Sequence, residues 1–125
     1  MEINNLSYQV IGFAMKLHRN VGPGLLESAY EHALAFDLRE AGFEVKLQVS
    51  LPFIYKNIKL DIGYRIDLII ENQLILEIKS IEAIAPVHLA QTLTYLKLSD
   101  KRLGLLINFN TVTLKDNIHR IVNRL

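Results

Sequence analysis

The chain has 125 residues, half of them apolar and 22% charged, with a formal net charge of +1. That length fits one domain with a single core, here spanning residues 1–125, and the balance is that of a globular rather than a disordered chain. The near-neutral charge excludes a whole-molecule field for polyanions, and the absence of cysteine excludes a disulfide framework and thiolate metal sites.

The first residues, M-E-I-N-N-L-S-Y, show neither the basic region nor the apolar core of a secretory signal. No apolar run reaches the ~18 residues of a membrane span, so the expectation is a soluble cytoplasmic protein. Leu6, Val10, Phe13, Ala14 and Leu17 recur at helical spacing and predict a helix over 5–18, with Asn4 or Asn5 as its cap. Gly22-Pro23-Gly24 then breaks the chain. A second helix is predicted from Leu25 to Ala41, stopped by Gly42. Glu27 and Tyr30 share one of its faces, with Glu31 next along it. In the first turn, Glu27 suits the positive end of the helix dipole, which is reason enough for a carboxylate there.

Phe43, Val45, Leu47 and Val49 alternate with Glu44, Lys46, Gln48 and Ser50, as in a half-buried strand reaching Tyr55. Pro52 predicts a bend or an edge position, Lys56-Asn57 a turn, and Gly63 a bulge. The stretch R-I-D-L-I-I-E-N-Q-L-I-L-E-I-K-S, Arg65 to Ser80, reads as a β-hairpin turning at Glu71-Asn72-Gln73. Pro86 opens a helix running to about Leu98, with Leu89, Leu93 and Leu96 as its core stripe and Gln91 and Tyr95 one turn apart on another face. Leu103 to Phe109 suits a buried strand, and residues 111–125 a strand edge or a short helix. The segment from 73 to 109 has the length of a right-handed crossover, which makes its two strands parallel within a mixed sheet flanked by helices.

Alternation puts Glu77 and Lys79 on one face of their strand and Leu74, Leu76 and Ile78 on the other. Ile66, Leu68 and Ile70 likewise oppose Asp67. Pairing of the arms brings Asp67 near Glu77, two carboxylates and an ammonium on an otherwise apolar sheet. Charge buried in such a place costs several kcal/mol per ion unless it is paired or holds a metal. A hard divalent cation removes the repulsion between two carboxylates, and a lysine beside it can hold a water and offset charge on a phosphate. The plain alternative is a solvated hairpin face. The histidines, His18, His32, His88 and His119, are scattered without zinc-ligand spacing.

Taken together, G-L-L-E-S-A-Y at 24–30, Asp67, E-I-K at 77–79 and Q-T-L-T-Y at 91–95 resemble the PD-(D/E)XK nuclease superfamily. Within it the chain is similar to the small GxxExxY proteins, matched by Gly24, Glu27 and Tyr30; the Q-x-x-x-Y helix resembles that of RecB-like exonucleases. Isoleucine stands at 66, where the motif's name has proline. The resemblance implies a restriction-endonuclease-like α/β core. It implies Mg²⁺ or Mn²⁺ on Asp67, Glu77, the Ile78 carbonyl and Glu27, with Lys79 positioning the attacking water. Gln91 and Tyr95 would orient the site or touch substrate phosphate. The function implied is a Mg²⁺-dependent nuclease acting on nucleic acid, DNA before RNA but either one open, by in-line attack of a metal-activated water. The near-neutral charge favours an alternative: a weak or inactive nuclease-fold module that binds nucleic acid or a protein partner, alone or as a homodimer.

Overall fold

Apolar stripes at helical spacing and apolar runs at strand spacing sort the chain into three α-helices and five β-strands in the computed structural model, which describes residues 1–125. Helix α1 spans Ile3–Val21 and α2 Glu27–Glu40. Strands β1 (Val45–Tyr55), β2 (Ile58–Ile70) and β3 (Leu74–Lys79) follow. Helix α3 (Pro86–Ser99), β4 (Leu103–Asn108), a 3₁₀ turn at Leu114–Asn117 and β5 (Ile118–Val122) close the chain.

The strands form one sheet in sequence order. Only β3 and β4 are parallel, with Leu74 opposite Leu103, and α3 is the crossover between them. All other neighbouring pairs are antiparallel. The fold is therefore an α/β core with a mixed five-stranded sheet flanked by three helices. The parity of β3 and β4 divides the interior. Leu74, Leu76, Ile78, Leu103, Leu105 and Ile107 pack with α1 and α2, while Ile75 packs with Tyr95 and Leu96 of α3. Each fully buried aliphatic side chain contributes roughly 1.5–3 kcal/mol. Helix α3 lies close on β4, where a Cβ on Gly104 would stand 3.3 Å from Thr92 Cγ2.

Local chemistry sets the ends of the elements, and here several expectations need correcting. Helix α1 begins earlier than its apolar stripe, because the Glu2 carboxylate accepts from the Asn4 and Asn5 N–H groups at 2.9 and 3.2 Å. Neither asparagine is the cap. Strand β1 starts at Val45 rather than Phe43. The turn at Lys56-Asn57 has both residues at positive φ, the two-residue type that matches strand twist. Opposite Pro52 the register of β1 on β2 shifts around Gly63, whose φ of 82° fits the expected bulge. On α3 the buried residues are Thr92, Tyr95 and Leu96, while Leu89 is 36% exposed and Leu93 half-buried. The α3 face toward the sheet is thus turned toward Tyr95, which the leucine stripe alone does not reveal.

Candidate active site

Strand β2 pairs with β3 only from Ile70 and Leu74 to Leu68 and Leu76. Beyond that rung the backbones part, and side chains take over. The Asp67 N–H donates to Glu77 Oε2 at 2.8 Å, and the Ile78 N–H donates to Asp67 Oδ2 at 2.8 Å. Each carboxylate satisfies an amide of the other's strand. Both strands stay held from their outer sides, since β1 remains paired through Arg65 and β4 through Lys79. The gap is therefore a fixed opening in an otherwise continuous sheet. The alternation of β2 also fails here: Ile66 joins the cluster under α3, not the one that holds Leu68 and Ile70. Opposite Asp67, Gln48 adopts a φ of 52°, a left-handed twist that goes with this change of direction.

Glu77 is 4% exposed. Burial pushes its carboxyl up to about 8, and the charge of Asp67 pushes the same way; the Asp67 N–H and the Lys79 ammonium act against both. Asp67 is also raised, again chiefly by burial, with the Ile78 N–H, Lys79 and Gln48 opposing and Glu27 adding to the rise. The two carboxyls sit close enough to titrate as a pair. Lys79 acts at a distance. The ion pairs of the molecule are Lys46–Glu44 at 3.9 Å and Arg124–Asp100 at 3.0 Å, both on the surface, and Lys79 is in neither.

Helix α2 brings its first turn to the same opening. Tyr30 Oη donates to the Gly22 carbonyl at 2.6 Å and accepts the Leu25 N–H at 3.2 Å, while its ring stacks on Phe109 at 4.5 Å. That latch, with Gly24 at a φ of 99°, fixes where α2 begins. Glu27 Oε2 then accepts the Ser80 N–H at 3.3 Å, just past the end of β3. Tyr30 is thus a packing and turn residue, and Glu27 lies near enough to raise Asp67.

Two further polar residues stand here that the motifs did not single out. Glu31 is 6% exposed, and its pKa is raised, mainly by burial. Gln48 donates to both Glu31 Oε1 and Asp67 Oδ1. The available signal for Glu31 was its spacing from Glu27, since two like charges at i and i+4 oppose a helix and need a reason. Gln48 offered none, because a polar residue at an outward strand position is ordinary. From α3, Tyr95 is 5% exposed, and its hydroxyl is raised by burial and by the charges of Glu77 and Asp67. Gln91 is exposed, and with Tyr95, Tyr64 and His88 it lines a shallow groove of about 350 Å³.

No three histidine or carboxylate side chains gather closely enough to hold one ion by themselves. Asp67 and Glu77 form the pair, while Glu27 is turned to Ser80 and Glu31 to Gln48. Glu77 Oε1 takes no hydrogen bond from the protein, and Asp67 Oδ1 takes only the long one from Gln48 at 3.3 Å. Two hard oxygen donors fit Mg²⁺ or Mn²⁺, which bind through one or two carboxylates and retain much of their hydration. They do not fit a soft metal.

The family model described as the PD-(D/E)XK nuclease superfamily matches residues 4–121. No curated protein and no solved structure matches the chain. The chain belongs to the PD-(D/E)XK nuclease superfamily, and its mixed sheet with flanking helices agrees with that fold.

Proposed function

We propose, starting from that membership, that the chain is a metal-dependent phosphodiesterase acting on nucleic acid, of the GxxExxY type marked by Gly24, Glu27 and Tyr30. One observation carries the reading: half-buried Asp67 and buried Glu77 replace backbone pairing across a fixed gap between β2 and β3. A sheet needing only stability would close that gap with two ordinary ladder bonds and avoid the desolvation of two acids.

Mg²⁺ or Mn²⁺ held by Asp67, Glu77, the Ile78 carbonyl and, directly or through water, Glu27 would supply an acidified water and neutralise phosphate charge. The chain's own groups do the rest. Lys79, whose charge reaches both acids from the end of β3 without pairing with either, orients the water and draws in the phosphate. Glu77, whose carboxyl burial pushes up to about 8 without metal, would give up that proton to bind the cation. Gln91 and Tyr95 face the groove from which a phosphate would approach, as hydrogen-bond donors. Glu31 and Gln48 are positioning residues: the Gln48 amide orients Asp67, and Glu31 orients the amide.

The test is cleavage of labelled single- and double-stranded DNA and RNA in Mg²⁺, Mn²⁺ or EDTA. Wild type should cut in metal only, and Asp67→Asn should not cut. A second reading, a binding module without efficient chemistry, is favoured by the lack of three converging acids. It expects no metal-dependent cleavage of any of these substrates.

A further inference from the structure

Four aromatic rings form a continuous file from the gap to the tip of the β1–β2 hairpin. Tyr95, in the field of Glu77 and Asp67, lies 6.0 Å from Tyr64 between ring centroids. Tyr64 lies 6.4 Å from Phe53, edge to face, and Phe53 lies 6.2 Å from Tyr55, stacked. The outer end of the file is in water: Tyr55 is 54% exposed, and neighbouring Ile58 is 62% exposed. Lys56 sits 5.4 Å over the Tyr55 ring. Between Leu51 and Arg65 the hairpin carries Lys56, Lys59 and Arg65 against Asp61 alone.

We propose that this hairpin is a track for single-stranded nucleic acid, on which unpaired bases stack at the Tyr55 end while Lys56 holds phosphate and Lys59 and Arg65, on the other face of the hairpin, add positive charge, leading the strand to the gap between β2 and β3. The proposal deepens the nuclease reading and rests on it for the direction of the track. An exposed ring beside a cation, Tyr55 with Lys56, backed by the half-buried Phe53 and Tyr64, suits sequence-tolerant single-strand binding, because every base has a face to stack. Paired bases in a duplex do not offer those faces. The other occupant to weigh is a second copy of the chain. Pairing along the outer edge of β1 is opposed by Pro52, which has no N–H, and by the register shift opposite it. A two-fold contact through the tip would bring the same lysines together.

Fluorescence anisotropy in EDTA, at low salt, with labelled oligo(dT), oligo(U) and a duplex of equal length tests the track without requiring cleavage. Wild type should bind both single strands at least about tenfold more tightly than the duplex. Tyr55→Ala, an exposed change that leaves the melting temperature in place, should weaken single-strand binding by about tenfold, and Tyr55→Trp should restore it. Preference for dT over U, or the reverse, would say which nucleic acid is the source. The track is refuted if wild type binds none of the three probes, if duplex binds best, or if Tyr55→Ala binds as wild type does. It is also refuted if Tyr55→Ala changes only the sedimentation mass, which would assign the tip to self-association. Single-strand binding that depends on Tyr55 in a protein that never cuts would leave the track standing and remove the nuclease reading. Cleavage unaffected by Tyr55→Ala would do the opposite.

Discussion

Glu77 is the residue whose protonation couples the site to the stability of the chain. Its folded pKa of about 8 lies above the ordinary carboxylate value of 4.5, so the folded protein keeps a proton that the unfolded chain gives up. The stability this confers is present below pH 4.5 and is lost as pH rises toward 8; the raised Asp67 and Glu31 add to the loss in the same direction. In EDTA, urea unfolding should therefore show stability falling from pH 5 to pH 8 by on the order of 3–5 kcal/mol. Glu77→Gln should flatten most of that slope, and an unchanged slope would mean that Glu77 is ionised throughout. Tyr30 offers a second test at this scale. Tyr30→Phe keeps the stack on Phe109 but removes the hydroxyl that joins Gly22 to Leu25. It should cost about 1 kcal/mol in urea unfolding, since two part-buried backbone groups lose their partner. A change below half of that would show that the ring alone seats α2.

Among the elements, α3 depends on the missing side chain at Gly104. Gly104→Val puts methyl groups where Thr92 Cγ2 stands 3.3 Å and Leu96 Cδ2 3.5 Å from the added Cβ. The overpacking should cost about 1–3 kcal/mol by thermal melting, and it should loosen Tyr95 with α3. Wild-type stability would contradict this docking. The element order was legible because apolar spacing differs between helix and strand, and the parallel crossover followed from its length. Asp67 and Glu77 were legible as partners from a short turn and strand parity. The parting of β2 from β3 was not, because it arises from side chains replacing ladder bonds, and parity carries no trace of that. Gln48 and Glu31 were missed for the same reason: their roles exist only once α2 and β1 meet at Asp67. The leucine stripe of α3 marked part of its buried face, through Leu96 and Leu93, but not the rest, because Leu89 sits at the exposed start of the helix while Thr92 meets Gly104.

For the molecule as a whole, the two acids make the metal-free protein a compromise between packing and chemistry. A divalent cation that binds only the folded chain should raise its melting temperature, by about 2.7 kcal/mol of stability at a hundred times the dissociation constant. Asp67→Asn should abolish that rise, and calorimetric titration with Mn²⁺ should find no heat of binding in the variant. If both proteins bind alike, the acids form a polar network and no metal centre. The central claim is that Asp67 and Glu77 hold a reacting water that Lys79 helps to position. It is tested most directly by measuring cleavage of a labelled oligonucleotide by wild type and Lys79→Ala side by side, in Mn²⁺ and in EDTA. Lys79 forms no ion pair and lies at the end of β3, so the variant should melt as wild type does. The account predicts metal-dependent cleavage by wild type and turnover lower by a factor on the order of 10² or more in Lys79→Ala. Equal cleavage by the two proteins, or none by wild type in metal, would contradict it.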